Sequence, residues 1–355
     1  MTCMDEIRSV SRSLTGRWAT GAGVVLCAAV LACGAPPRDL DAAVYHGLAC
    51  VAGSYDGRAF ADDYLRFVYP GEHLSSPLPD RRITYRILDA YFIVLMLRQA
   101  GAEPGPATAL FEDAERLTAA LVPAWRAQGV YNLRKDPAPD GIALDTYAIL
   151  AYLRRDGAMA RTILAGLDRD GWLPANLYVG PESFRLLADE SWAARALVVT
   201  GVAPDRAGPI VRRIADDALD DLDRGGDPGT RANIALHALE ALDDLRPMGI
   251  RGPDPSDEDA RAALLAELWR LREDPRLAGD TLTLANLTAT LVLASPDACR
   301  DLAPSIDALL RRQETDGCWS VDASRSDPSG RVFATLRILL TLVRYQACAG
   351  SGKTS

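Results

Sequence analysis

The feature of this sequence that most constrains its fold is an internal repeat. Residues 88–101 and 144–157 both begin Leu-Asp-x-Tyr, carry a Leu-Arg pair further on, and end in glycine at the same spacing. A looser third copy occupies residues 190–201. Further apolar segments that fit the same role begin near Arg231, Asp280 and Arg331. The unit recurs roughly every 40–55 residues, which is in the range of helical-pair repeats. The repeat therefore predicts a single domain built from pairs of helices.

Two kinds of helical segment alternate along the chain. Segments rich in alanine, leucine and threonine and poor in charge are typical of helices buried on all sides. They occupy residues 143–153, 193–199, 232–242, 282–293 and 332–345. Other segments, such as 107–128 and 209–223, carry charges on one face, and none shows the sustained alternation of a strand. We therefore predict an all-α fold, an α/α toroid of about six hairpins over residues 40–348, followed by a disordered tail at 349–355.

The first 33 residues resemble the signal peptide of a bacterial lipoprotein. Three arginines precede an apolar stretch at residues 18–32, and Ala32 stands directly before Cys33. The apolar stretch is shorter than the roughly 20 residues that a membrane-spanning helix needs. The resemblance implies export, a lipid on Cys33, a short linker at residues 34–39 and anchoring to the bacterial cell envelope. The alternative is an ordinary signal peptide that is cut near Ala35.

Four cysteines would remain after export: Cys50, Cys299, Cys318 and Cys348. In an oxidising compartment they can form two disulfides in three different pairings. If the helices close into a ring, the first helix lies beside the last, which favours a bond between Cys50 and Cys348. Free buried thiols are an equal alternative. The cysteines lack zinc-ligand spacing and the chain has three histidines, so we predict neither a metal nor another cofactor.

The charge of the chain argues against one class of partner. The formal net charge is −9 and the acidic residues are spread along the sequence. Because there is no basic stripe to follow a phosphate backbone, nucleic acid is disfavoured as a partner. The sequence leaves the oligomeric state open.

One motif links the repeat to known folds. Gln313, Gly317 and Trp319 fit the Gln-x3-Gly-x-Trp element of terpenoid cyclases and protein prenyltransferases. The resemblance implies an α/α toroid, an architecture that six-hairpin glycosidases and polysaccharide lyases also use. It does not carry over the activity, because the cyclase Asp-x-Asp-Asp element is absent. Residues 216–220 do read Asp-Asp-x-x-Asp, but they lie on a predicted surface helix, and we interpret them as a solvated acidic face.

Acidic residues recur near the start of the predicted inner helices. Asp89, Asp145 and Glu190 occupy corresponding positions, and such positions in a ring converge on one mouth. A pair of carboxyl groups roughly 5–9.5 Å apart can act as general acid and base on a glycosidic bond, so we predict these three as catalytic residues. The predicted substrate-binding residues around them are Tyr91, Tyr147, Trp172, Tyr178, Trp192, Arg231, Asp280 and Arg331. The alternative is structural, because acidic residues also stabilise the first turn of a helix.

The sequence supports two kinds of function. In the first, an exported lipid-anchored toroid binds a glycan in an acidic, aromatic-lined cavity and, if it is an enzyme, cleaves it as a glycoside hydrolase or polysaccharide lyase. In the second, the protein is a non-catalytic binding or scaffold protein of the envelope. A terpenoid cyclase-like enzyme is a third, remote alternative. No catalytic signature of high specificity decides among them.

Overall fold

Helices account for nearly all the regular structure of this chain. The computed structural model describes residues 39–58, 60, 85–128, 144–166, 183–224, 226–245, 255–277, 279–322 and 330–351. Within these ranges the only strand-like pairings are two isolated bridges, Tyr55 with Phe60 and Asp280 with Asp322. The predicted all-α class is therefore confirmed. Leu40–Ser355 forms one unit by its internal contacts.

Twelve α-helices lie in the described part of the chain. In order they are α1 Leu40–Gly53, α2 Tyr85–Gln99, α3 Thr108–Gln128, α4 Leu144–Arg154, α5 Gly157–Ala165, α6 Ser183–Thr200, α7 Pro204–Asp223, α8 Pro228–Leu245, α9 Pro255–Arg272, α10 Thr281–Ala294, α11 Ala303–Arg311 and α12 Arg331–Ser351. Short 3-10 turns occupy Gly105–Ala107, Pro275–Leu277 and Pro296–Leu302. The predicted tail began at residue 349, whereas α12 continues to Ser351.

The even-numbered helices contact one another in a closed cycle. Helix α2 packs against α4, α4 against α6, α6 against α8, α8 against α10, α10 against α12, and α12 against α2. The odd-numbered helices pack on this cycle from α3, which contacts α2 and α4, to α9, which contacts α8 and α10. Helix α11 packs on α10, and α1 packs on α12. We call the first set the inner helices and the second set the outer helices.

The amino-acid pattern explains which helices lie inside. Nine of the fourteen residues of α10 are buried, and they are alanine, leucine, valine and threonine. In α7 the buried residues, from Ala207 through Ile214 to Leu222, recur every three or four positions. Its acidic residues Asp216, Asp217 and Asp220 are exposed on the other side. An apolar stripe of this kind buries one face of a helix and leaves the other in water.

The Gln-x3-Gly-x-Trp element joins three helices. The Gln313 side-chain amide donates a hydrogen bond of 2.8 Å to the carbonyl oxygen of Ala43 on α1. The Trp319 ring is fully buried, and its Nε1 donates to the Leu309 carbonyl of α11 at 2.7 Å. The backbone nitrogen of Trp319 donates to Oγ1 of Thr335 on α12 at 3.0 Å. The motif is thus a connector that holds α1, α11 and α12 together.

Glycine is required at the centre of this element. Gly317 has a φ of +90°, and a Cβ there would collide with the carbonyl oxygen of His46 on α1. Only a residue without a side chain allows α1 to approach the turn this closely.

The disulfides differ from the pairing that the sequence favoured. Cys50 is bonded to Cys318 and Cys299 to Cys348, with Cα–Cα distances of 5.5 and 6.3 Å, which lie in the usual range for disulfides. The expected bond between Cys50 and Cys348 is wrong. Helix α1 does lie beside α12, but Cys50 faces the turn before α12, whereas Cys348 near the end of α12 faces the 3-10 turn at Pro296–Leu302.

One described helix is long and apolar enough to span a membrane. It is the Arg331–Gly350 part of α12, and 56% of the apolar window is buried inside the fold. Because α12 packs against α1, α2 and α10, its apolar character has a structural explanation as a core helix.

Candidate functional site

A cavity of about 440 Å³ opens at the centre of the inner helices, and all six of them line it. Its charged lining residues are Arg195, Glu240, Asp244, Arg337 and Arg344. Its aromatic lining residues are Tyr152 and Trp192, and its apolar ones are Met96, Ala100, Leu293 and Ala347. Apart from Arg337, these residues lie in or directly after the carboxyl-terminal halves of their helices. We call this space the central cavity.

Arg195 of α6 contacts four other residues that line the central cavity. Its side chain is 7% exposed, and it forms ion pairs with two carboxylates of α8, Glu240 at 2.8 Å and Asp244. Its Nη2 also donates to the Tyr152 hydroxyl at 3.4 Å. The two carboxylates are four residues apart, which places them on one face of α8. The planar guanidinium of arginine, with its five donors, can bind both at once.

Two aromatic rings enclose the same guanidinium. The Cζ atom of Arg195 lies 4.2 Å from the ring centroid of Trp192 and 4.8 Å from that of Tyr152. The two rings meet edge to face at 5.4 Å. Cation–π contacts of this kind contribute roughly 0.5–2 kcal/mol each. They fix the indole of Trp192 at the wall of the cavity.

The two carboxylates have pKa values that shift in opposite directions. Burial raises the pKa of Asp244, and the opposing effect of Arg195 is smaller. Burial also acts to raise the pKa of Glu240, but Arg195 and Arg344 outweigh it and hold that pKa below its usual range. The two environments therefore favour the ionised form of Glu240 more strongly than that of Asp244.

His237 lies one helical turn before Glu240 on α8. Burial lowers the pKa of its imidazole to about 4, so the ring is neutral at pH 7. Within the described residues its Nδ1 atom is buried and has no hydrogen-bond partner. The Ser191 hydroxyl donates to the backbone carbonyl of His237 at 3.0 Å. This hydrogen bond joins α6 to α8.

Two of the residues predicted from the sequence have clear positions in or near the inner helices. Trp192 lines the central cavity. Asp280 caps α10, because its carboxylate accepts hydrogen bonds from the backbone nitrogen of Thr283 at 2.8 Å and from the Thr283 hydroxyl at 2.6 Å. The capping contact is the structural alternative that the sequence left open for Asp280.

The two predicted arginines bind acidic residues of neighbouring segments. Arg231 of α8 forms an ion pair with Glu267 of the outer helix α9 at 2.9 Å. Arg331 at the start of α12 forms ion pairs with Glu314 at 2.6 Å and Asp316 at 2.9 Å. Both side chains are therefore engaged with outer segments.

The repeated tyrosines are buried in the core. The Tyr91 hydroxyl lies 2.7 Å from the hydroxyl of Tyr55. The Tyr147 ring stacks on Trp125 with 6.2 Å between the ring centroids. Both tyrosines are at most 1% exposed, so in this conformation they offer no surface to a ligand.

The remaining predicted residues divide into two groups. Asp89 is partly buried in the second turn of α2, and Glu190 is buried in the middle of α6. The others lie outside the described residues: the side chain of Asp145, and Trp172, Tyr178 and Cys33. The geometry of the Asp89 and Asp145 pair is therefore not part of the described structure.

None of the five charged residues of the central cavity was predicted from the sequence. A signal was present, because Arg195, Glu240 and Arg344 are charged residues within helices that are otherwise largely apolar. A charge on a buried helix needs a partner or a function.

Comparison with known proteins adds no assignment: the sequence matches no protein-family model, and no curated protein is significantly similar to it. In the described part of the chain, no three His, Cys, Asp or Glu side chains lie close enough together to hold a metal ion.

Proposed function

We propose that the chain is an α/α toroid whose central cavity binds a short segment of a glycan. The closed cycle of contacts among the six inner helices supports the toroid. The observation that carries the binding proposal is the cavity itself, to which all six inner helices contribute. Its volume of about 440 Å³ lies within the usual range for small-ligand sites, which combine apolar walls with a few polar groups.

The residues that line the cavity are of the kinds that bind sugars. Trp192 offers an amphipathic aromatic surface, and Arg195 and Tyr152 hold it in one orientation. Gln99, Glu240 and Asp244 add hydrogen-bonding groups to the lining of the same cavity. Sugars present apolar ring faces and polar rims, and this combination of groups complements both.

Glycoside hydrolysis is a second candidate activity. The observation that favours it is that two carboxylates with differently shifted pKa values, Asp244 and Glu240, line the same cavity, since hydrolysis uses a pair of carboxyl groups. Both carboxylates are engaged by Arg195. We therefore place binding first and hydrolysis second.

The binding proposal predicts that Trp192→Ala lowers affinity for glycans by about tenfold or more, the equivalent of about 1.4 kcal/mol. The measurement is a glycan-array screen of the purified protein, followed by titration of the best hit and a reducing-sugar assay for turnover. Trp269→Ala is the matched control, because Trp269 on the outer helix α9 also packs under an arginine, Arg272, at 4.5 Å. If both variants lost glycan affinity equally, the result would count against the central cavity as the binding site.

We also propose that the protein is exported and anchored to the cell envelope through a lipid on Cys33. The support is the sequence resemblance to a lipoprotein signal in residues 1–33. Replacing Cys33 by Ser is expected to move the protein from the membrane fraction to the soluble fraction of a bacterial host. Unchanged partitioning would show that the lipid is absent or that another segment holds the protein.

A further inference from the structure

Arginines outnumber carboxylates among the residues that line the central cavity. Of its five charged lining residues, three are arginines and two are carboxylates. Both carboxylates form ion pairs with Arg195. The network around Arg195 is therefore complete without the other two arginines, which lie on α12.

The two α12 arginines differ in their partners. Arg337 is held in place by its neighbours, and one of its contacts is the hydrogen bond of 2.9 Å that its Nε donates to the side-chain oxygen of Asn286 on α10. Among the described residues, Arg344 makes no hydrogen bond and no ion pair within 4 Å, although it lines the cavity. Glu240 attracts it from a distance, while Arg337 and Arg195 repel it.

The environment of Arg344 is unfavourable for a cation that has no ligand. Burial lowers the pKa of its guanidinium, and the neighbouring arginines act in the same direction. Arg344 also lies about two turns before the end of α12, beyond the last turn in which a helix carboxyl terminus stabilises a cation. The positive charge of Arg344 in this environment is explained most directly by a ligand that neutralises it.

We infer that the ligand of the central cavity is an acidic glycan, and that Arg344 binds the carboxylate of a uronic acid unit. This inference rests on the proposed function and names its substrate class. The planar fork of arginine matches a carboxylate in a bidentate pair. A single negative charge fits better than a phosphate dianion, because Glu240 and Asp244 share the cavity wall. Trp192, which lines the same cavity from α6, is expected to lie against the sugar ring.

The experiment compares digalacturonate with its neutral methyl ester by isothermal titration calorimetry. We expect the wild-type protein to bind the acid at least tenfold more tightly than the ester. Arg344→Gln should abolish this preference, because the acid loses the group that binds its carboxylate. Arg224→Gln is the control for net charge, because the Arg224 side chain is 73% exposed and the residue directly follows the outer helix α7. It should keep the full preference.

The outcomes separate the inference from the proposed function. Equal binding of acid and ester by the wild-type protein would overturn the inference and leave a glycan site intact. If neither sugar binds, the same comparison is made with sulfate at constant ionic strength, by thermal denaturation. A rise in melting temperature that Arg344→Gln removes would support an oxyanion site and reject the sugar; no rise would reject both.

A second readout tests whether Arg344 is only structural. Without any ligand, Arg344→Gln should leave the melting temperature unchanged or raise it, because the substitution removes an unpaired charge near two other arginines. Arg344→Lys keeps the charge but lacks the planar guanidinium that can bind a carboxylate through two hydrogen bonds. Compared with Arg344→Gln, it should recover only part of the preference for the acid. A large fall in melting temperature for both variants would overturn the inference in favour of a structural arginine.

Discussion

Replacing Arg195 by Met is expected to destabilise the fold by about 3–5 kcal/mol, the cost of leaving buried charges without their partner. The substitution removes the cation that holds Glu240 and Asp244, whose side chains are 12% and 27% exposed. It also removes the group that packs on Trp192 and Tyr152. Urea denaturation at pH 7 measures the effect.

The control is an arginine whose ion pair is exposed. Arg276→Met breaks the pair with Asp274, but the Arg276 side chain is 65% exposed, so we expect a change of less than about 1 kcal/mol. A triple variant, Arg195→Met with Glu240→Met and Asp244→Leu, removes all three charges and should be more stable than the single variant. If Arg195→Met cost no more than Arg276→Met, the buried network would not exist in solution.

Loss of the Cys50–Cys318 disulfide should be the second large effect. A disulfide restricts the unfolded chain, and the restriction grows with the length of the enclosed loop. The two bonds span 268 and 49 residues. In the chain-entropy account, the double Ser variant of Cys50 and Cys318 therefore loses about 1–2 kcal/mol more than the double Ser variant of Cys299 and Cys348, from a total of about 3–5 kcal/mol.

Denaturation of both double variants under oxidising conditions measures this difference. Mass spectrometry of unreduced peptides checks the pairing directly, and a peptide that joins Cys50 to Cys348 would contradict the structure. The same map on the wild-type protein shows whether the cysteines are oxidised at all, which separates disulfides from the free thiols that the sequence left open.

The helices were predictable from the sequence because the burial of one helix face makes apolar residues recur every three or four positions. The first helix was predicted at residues 40–53 and is observed at Leu40–Gly53. The inner helix predicted at residues 282–293 is observed at Thr281–Ala294. The disulfide pairing was not predictable, because it depends on which side of α1 faces the turn that carries Cys318. That choice belongs to packing, and periodicity does not encode it.

The repeat indicated the fold better than the site. Its matched positions Leu88, Tyr91, Leu97 and Tyr147 are at most 1% exposed, so they recur because equivalent helices pack alike. Its matched arginines also share a packing role.

Arg98 and Arg154, from successive repeats, both form ion pairs with Glu115 on the outer helix α3. Two inner helices are thereby tied to one outer helix. Recurrence at these positions is the signature of a shared contact in the scaffold.

The central cavity carries no such signature. Arg195, Glu240 and Arg344 occur once each on different inner helices, so alignment of the repeats does not reveal them. Only the closure of the helices brings them together. The predicted site therefore lay near the amino-terminal ends of the inner helices, whereas the cavity lies toward their carboxyl-terminal ends.

A crystal structure of the protein with its best glycan hit bound would locate the ligand directly. We expect a sugar ring against Trp192, in the cavity between the carboxyl-terminal halves of the inner helices, with its acidic group at Arg344. A ligand bound instead at the opposite end, beside Asp280 at the amino terminus of α10, would contradict it.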